Sequence, residues 1–398
     1  MRPSDVIIMS TADWDNPFWT NKQHVAVEMA ALGHRVIYID SLGLRRPSAS
    51  SSDLKRILVR LKRAVKPPRL VRHNIWVWSP IVLPLHNVKP VRFLNRMLLG
   101  LGLSFWMRVR GFRHRDSIFW TYSPITTSIF RLSKFRMAVY HCVDEVKAQP
   151  GMPVATIEKD ESDLMRAADA IFVTSRSLEL TRRECNENTF YFSNVADYEH
   201  FSSAKSESLA VPADLLAIPG PRIGFVGAIS GYKVDFPLLA SVAKARPNWS
   251  FVLIGKVGEG DPWTDVASLK SCPNIHFLGS KAYSDLPAYL KGIDAAILPC
   301  PLNEYTKGMF PMKFFEYLAA GKYVVSTPLD SLAEFGDIAR FASDSESFVG
   351  QLELVLKGDP QLLDRSEILA KENTYESRMK KMMRCLENLR VEERGGSE

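Results

Sequence analysis

The stretch GMFPMKFFEYLAAGKYVVST, Gly308 to Thr327, sets a lysine and a glutamate three residues apart inside an apolar, helix-forming run. Phe314, Phe315, Leu318 and Ala319 recur at helical spacing, Pro311 suits a first-turn position and Gly321 supplies a stop. Tyr323, Val324 and Val325 then read as a short buried strand, so the piece is one helix-to-strand step of a parallel sheet. On such a helix Lys313 and Glu316 share a face near the N-terminal end, where free backbone N–H groups and the positive dipole end favour an anion. A cation that can meet phosphate, beside a carboxylate that can accept from sugar hydroxyls, is what a nucleoside diphosphate would ask for. An ordinary surface ion pair is the commoner use of Lys-x-x-Glu.

The surrounding elements say where such a pair would stand. VIIMS (Val6 to Ser10), the helical QHVAVEMAALG and HRVIYID open the chain as a strand, a helix and a strand. SIFWTY, MAVYHCVD and AIFVTS read as further strands, the last followed by the helical SLELTRRE. The segment from Phe201 to Pro221, rich in Ser, Ala and Pro, reads as a linker. RIGFVGAIS then starts a second strand-and-helix series, which runs through WSFVLIG, NIHFLG and AAILPC to the opening stretch. The chain is expected to hold two domains, 1–205 and 206–398, each an open parallel sheet, with the last helix packing back on the first domain. In such sheets ligands gather beyond the carboxyl ends of the strands, where strand order reverses. Gly227, Gly255 and Gly279 each fall at a strand end, where the absent Cβ lets a ligand approach the backbone.

Composition narrows the classes. With 46% hydrophobic and 24% charged residues the chain is an ordinary globular one. Its five cysteines, Cys142, Cys185, Cys272, Cys300 and Cys385, are scattered and lack a CxxC pair, which speaks against a disulfide framework or a zinc site. No apolar run reaches the roughly 18 residues of a membrane span, and VIIM is too short for a signal peptide, so a cytoplasmic protein is expected. The net charge of +7 is unevenly spread. Between Asp53 and Asp116 every charged side chain is Lys or Arg, in LKRILVRLKRAVKPPRLVR and again in RFLNRMLLGLGLSFWMRVRGFRHR. Both pieces interleave bases and apolar residues at roughly helical intervals, and the second carries Phe93, Leu94, Met97, Leu98, Leu101, Phe105 and Trp106. The span 54–115 is therefore expected to be a basic insertion facing an anionic membrane surface. A packed helix pair with a solvated basic face is the plainer reading; a nucleic-acid partner is not expected, since no binding motif accompanies the charge.

With these residues assembled, the second half resembles the donor domain of GT-B glycosyltransferases of the family 4 kind. The resemblance lies in Gly227 with Lys233 six residues on, F-x-x-x-G from Phe251 to Gly255, N-x-x-F-x-G from Asn274 to Gly279, and P-x-K-x-x-E-Y-x-A-x-G-K from Pro311 to Lys322, in that order. The first half, with YHCVDE, VTSRSLEL and FSNVADYEHF, is similar to the acceptor domain of bacterial polysaccharide transferases, such as the teichuronic-acid transferases and the xanthan glucuronosyltransferase. The resemblance implies an α/β, GT-B fold: two Rossmann-like open parallel-sheet domains facing a cleft.

By position it implies that Glu316 binds the donor ribose hydroxyls, that Lys313 and Lys233 meet the diphosphate, that Gly227 admits the phosphates and that Ser280 lies near the base or ribose. Gly255 belongs to the same donor pocket through its strand-end glycine. Asp144, at the end of YHCVDE, corresponds to a general base in the xanthan enzyme; the plainer role is a cap for the segment that follows. His141 could hold the acceptor or stay in the core, and Asp13 and Asp15 are lesser candidates. Two positions depart from the family pattern: Ala228 stands where an arginine is expected, and Gly308 where the first glutamate of E-x7-E would fall. The resemblance implies transfer of a sugar from a nucleoside diphosphate sugar, expected to be a UDP-sugar, to a lipid-linked glycan. No cofactor or divalent metal is expected, since Lys233, Lys313 and backbone N–H groups can meet the leaving charge. A sugar-nucleotide epimerase of the same fold and a non-catalytic basic membrane- or nucleic-acid-binding protein are the rival readings.

Overall fold

In the computed structural model of the protein, residues 4–16, 19–42, 67–80 and 89–395 are described. Positions 54–66 and 81–88 of the basic span lie outside them. The chain divides into two compact units, Met1–Phe192 with Met379–Glu398, and Ser193–Arg378.

In the first unit eight strands form one sheet: β1 (Asp5–Met9), β2 (Arg35–Ile39), β3 (Arg69–Arg72), β4 (Ile75–Trp78), β5 (Ser117–Thr121), β6 (Met137–Cys142), β7 (Ala170–Val173) and β8 (Thr189–Tyr191). Their order is β3-β4-β2-β1-β5-β6-β7-β8, and every pairing is parallel except that of the edge strand β3 with β4. Near-continuous apolar strands follow from this, because both faces are covered. Ile7 and Ile37 face a layer holding Leu99, Leu103 and Met107, while Val6 and Val36 face Val25, Met29 and Met382.

The basic span differs from its reading as two helical pieces. Arg69–Arg72 is a strand, not part of a helix, paired to β4, whose alternating Ile75, Trp76, Val77 and Trp78 place a further strand inside the span. The second piece does form a helix, Lys89–Val109, seated on the sheet through Leu99, Leu103 and Met107. Two of its arginines turn inward: Arg92 pairs with the buried Asp160 at 3.1 Å, and Arg110 donates to the Pro68 carbonyl and lies over the Trp76 ring.

The second unit carries β9 (Arg222–Val226), β10 (Ser250–Ile254), β11 (Ile275–Gly279), β12 (Ala295–Leu298), β13 (Tyr323–Ser326) and β14 (Arg340–Phe341), all parallel, in the order β11-β10-β9-β12-β13-β14. This is the doubly wound order with its reversal between β9 and β12, the place where such sheets bind ligands. The segment Phe201–Pro221, read as a linker, is instead packed: it contains a short helix at Ala213–Leu216 and buries Phe201, Ala204 and Leu215 in the same core as Phe314. Its apolar residues are spaced too irregularly to announce this.

Beyond the sheet the loops after β9 and β10 run together. The Gly227 amide donates to the Ile254 carbonyl, the Ile229 amide to Lys256 and the Gly258 amide back to Ile229, while the Gly255 amide donates to Gly279. Gly255 has φ +151°, and a Cβ there would stand 1.8 Å from the Gly227 carbonyl oxygen. The three strand-end glycines are thus one backbone-on-backbone stack. Gly255→Ala should destabilise the protein by about 1–3 kcal/mol, because the loop must move or be strained. Chemical denaturation measures this, and an unchanged midpoint would show that the loops separate freely.

Candidate functional site

The site is built at the β9/β12 reversal. β12 pairs with β9 only at Ile223 and Gly224, so the two strands part before β9 ends. The Val226 amide, facing that gap, donates to the Tyr317 hydroxyl at 2.8 Å. Tyr317 is wholly buried on the helix Lys313–Ala319, which therefore hangs from the last residue of β9, one position before Gly227. Phe314 and Phe315 lock the same helix against Phe310 and Phe335. The helix begins two residues later than Pro311 suggests and has seven residues, so fixed side chains rather than a long dipole set the local field.

Lys313 and Glu316 form an ion pair on this helix, the ammonium partly open and the carboxylate buried. Burial pushes the Glu316 carboxyl above its ordinary range, against the pull of Lys313 and His200 and with a further push from Asp197. Around them stand Phe201, whose ring lies 5.9 Å from the Lys313 nitrogen, and His200, stacked on Tyr283 with centroids 4.3 Å apart. His200 Nε2 sits 2.9 Å from the Tyr283 carbonyl. Burial raises the Tyr283 phenol well above its usual range, with Glu316 adding to the effect. A buried carboxylate beside one cation, ringed by aromatic surface, can accept from a diol more strongly than a solvated one could.

The structure brings Gly227, Gly255 and Gly279 into one stack and ties Lys313 and Glu316 to it through Tyr317. Ser280 follows Gly279 and is exposed. Lys233 lies over the Tyr232 and Tyr305 rings at 5.3 and 5.6 Å, in the turn that leads into the helix Phe236–Ala245. Ala228 is half-buried in the β9 loop, and Gly308 ends the short helix Glu304–Lys307.

Asp144 belongs to the first unit, half-buried in the loop after β6. That loop is fastened on both sides. Thr174 donates to the Val143 carbonyl at 2.8 Å, and Glu145 makes a two-pronged pair with the buried Arg182, which also reaches Glu161 at 3.2 Å. Tyr140 donates to Glu161 at 2.7 Å. Burial works against the Arg182 guanidinium, but Cys142, Glu161 and Glu145 outweigh it and raise its pKa. The turn that follows, Val146–Ala148, starts from Glu145 and not from Asp144. His141 stays in the core, fully buried, with Nδ1 3.1 Å from the Tyr122 hydroxyl. Asp15 pairs with Arg69 at the surface, and the Asp13 carbonyl accepts from Gln23. Asp40, after β2, accepts from Ser79 and from the Trp14 amide, yet burial pushes its carboxyl up to about 6.

Residues 220–357 match the family described as glycosyl transferases group 1. The matched stretch lies within the second unit. Over 184 residues the chain is 30% identical to TuaH of Bacillus subtilis strain 168, assigned to teichuronic acid biosynthesis as a glycosyltransferase; the match spans 45% of this chain and 45% of TuaH. Among solved structures, sucrose-phosphate synthase from Thermosynechococcus elongatus aligns with a TM-score of 0.68 at 15% identity, over 98% of this chain and 99% of that one. Anabaena HepE in complex with UDP and glucose aligns at 0.62 and 14% identity, over 96% and 99%. The fold is GT-B, and the resemblance to family 4 carried by the motifs is shown.

The motifs did not reveal Tyr317, His200 or Tyr283 as neighbours of Lys313 and Glu316. The tyrosine of E-Y was a visible signal for the first; no spacing announces the His200–Tyr283 stack.

The raised Glu316 carboxyl carries a pH signature. Its proton is held more tightly in the fold than in the unfolded chain, so the stabilisation it contributes is present at low pH and lost as pH rises. At neutral pH the buried carboxylate therefore costs stability. Glu316→Gln should leave the ligand-free melting temperature unchanged or higher at neutral pH, with the difference closing towards about pH 4, where the glutamate is neutral as well. A midpoint lowered most at neutral pH would make the ion pair a net stabiliser instead.

Proposed function

We propose that the protein is a glycosyltransferase that moves a sugar from a nucleoside diphosphate sugar, a UDP-sugar of the hexosyl or glucuronosyl type, to a lipid-linked glycan in bacterial polysaccharide biosynthesis. The observation that carries this is the Lys313–Glu316 pair on a helix hung from the end of β9, one residue before Gly227, in a group 1 domain. TuaH supports the polysaccharide context, and HepE in complex with UDP-glucose supports the donor class.

Glu316 accepts from the ribose hydroxyls, and Gly227, held in place by its packing on Gly255, lets the diphosphate close on the backbone. Lys313 and Lys233 take the charge that grows on the leaving diphosphate as the bond to the anomeric carbon breaks, with Ser280 towards the base or ribose. Because cations already meet that charge, the transfer runs without a divalent metal or other cofactor. Asp144 takes the proton of the acceptor hydroxyl as its oxygen attacks the anomeric carbon, which suits an inverting displacement. A lipid-linked acceptor places the enzyme in the cytoplasm, peripheral on the inner face of the cytoplasmic membrane.

Two substitutions separate these roles. Glu316→Ala should weaken UDP binding by about 1.5–3 kcal/mol, the range for hydrogen bonds to a charged group, with the fold retained. Calorimetric titration that returned the wild-type affinity would remove the pocket. Asp144→Asn should leave UDP affinity nearly intact and cut turnover by about 10²-fold or more, in chelator as well as in buffer. Full activity in that variant would eliminate Asp144 as the base, and a loss in chelator alone would require a metal.

A further inference from the structure

The helix Lys89–Val109 is apolar on two opposite sides. Leu99, Leu103 and Met107, every fourth residue, are buried in the first unit's core. At 100° per residue, Phe93, Met97, Leu101, Leu94, Phe105 and Leu98 fall on one arc of about 140° facing away from that stripe, shared with Ser104 and, near the helix's C-terminal end, Arg108. All six are exposed, Phe93 at 65%, Leu101 at 66% and Phe105 at 58%. No other helix among the described residues carries so many exposed large apolar side chains. A water-facing helix ordinarily puts polar residues there, so an arc this apolar marks a docking surface.

The charge around it selects the partner. Arg96, Arg108, Arg113 and Arg115 are exposed on or beside the helix, and the span from Leu54 to Arg115 holds no acidic residue. Arg92, by contrast, is held by Asp160 and steadies the helix on its own unit. No described helix is long and apolar enough to cross a membrane, and the buried stripe binds this one to the sheet along its length. We infer that this arc inserts shallowly into an anionic lipid surface, with Arg108 at the headgroups and Phe93, Leu101 and Phe105 among the upper acyl chains. Such a helix lies in the interface plane and is drawn there by charge before apolar burial holds it. The inference rests on the reading of a membrane-borne acceptor for its purpose, but its chemistry is independent of the nucleotide pocket.

The test uses the full chain with vesicles of phosphatidylglycerol and phosphatidylcholine, and of phosphatidylcholine alone. Wild type should sediment with the anionic vesicles, bind neutral ones less and be released as salt rises. The triple substitution Phe93→Gln, Leu101→Gln, Phe105→Gln should lower the anionic partition coefficient by about tenfold or more, since three large apolar side chains then no longer leave water on binding. Arg108→Glu should lower it as well, and both variants should titrate UDP as wild type does. A Phe105→Trp reporter should shift its emission to the blue on adding anionic vesicles. Wild-type partition by the triple variant overturns the inference. So does an emission already blue without lipid and unmoved by it, which would mean that another part of the chain covers the arc. A wild-type dimer that the triple variant dissolves, with neither binding vesicles, gives the arc to a second copy instead. Loss of UDP binding with Glu316→Ala but not with these variants keeps the two readings separate.

Discussion

The parting of β9 from β12 after Gly224 is the constraint on which the candidate donor site depends. A parallel sheet that stayed paired to its end would bury the Val226 amide against β12 and leave no room beyond the strand. Here the amide is turned to the Tyr317 hydroxyl, a side chain doing the work of a ladder bond. An unmade bond at that depth would cost about 1–3 kcal/mol, so the tyrosine fixes the distance between helix and strand as well as filling the gap. The consequence reaches both neighbours in sequence. Gly227, next after Val226, bonds to Ile254 and leans on Gly255; Glu316, next before Tyr317, is held in the core with Lys313. The Gly227 loop and the Glu316 carboxylate thus share one tether.

The two units keep buried carboxylates in opposite ways. Glu145 and Glu161 are satisfied by one guanidinium with a fork of donors, helped by Tyr140, and the loop carrying Asp144 is fastened as a result. That is the condition under which a buried ionic cluster is tolerable: each partner is bonded and none can leave alone without a penalty of several kcal/mol. Glu316 has a single ammonium, partly open to solvent, and its carboxyl is raised despite it. A carboxylate left short of donors is one that a ligand's hydroxyls can complete. Glu145 and Glu161 each take two or more donors where Glu316 takes one, a difference the fold maintains at some cost to its own stability.

How much of this could be read from the residues divides along physical lines. Parallel strands covered on both faces are apolar runs ended by glycine, and these were legible, as were the helix carrying Lys313 and Glu316 and the GT-B class. Arg69–Arg72 and Ile75–Trp78 were not, because two four-residue strands in a span crowded with bases show a charge pattern before a pairing pattern. Phe201–Pro221 looked like a linker for a related reason: Ser, Ala and Pro dominate its composition, while Phe201 and Leu215 supply its anchoring. His141 could not be assigned from its type, since a histidine in an apolar strand reads the same whether its ring meets a ligand or, as here, Tyr122, Trp120 and Phe172. Side-chain bonds across long sequence separations, such as Tyr317 to Val226 and Arg182 to Glu145, leave no periodic trace at all.

Helix Lys89–Val109 shows the same limit from the other side. Its sequence is apolar at so many positions that periodicity cannot say which side is core, and only the sheet beneath it decides that Leu99, Leu103 and Met107 go in and Phe93, Leu101 and Phe105 stay out. Burying one stripe binds the helix to its unit, and the opposite stripe then cannot be buried by the same sheet. Two of the four nearest arginines are used up in that seating, Arg92 on Asp160 and Arg110 on Pro68 and Trp76. The remaining cations and the outward apolar arc are what the fold leaves unspent. A helix fixed from Arg92 to Met107 cannot tilt into a bilayer, so any lipid contact it makes is parallel to the surface and shallow. Its depth is then set by side chains such as Phe93 and Phe105, and the backbone stays with its own sheet.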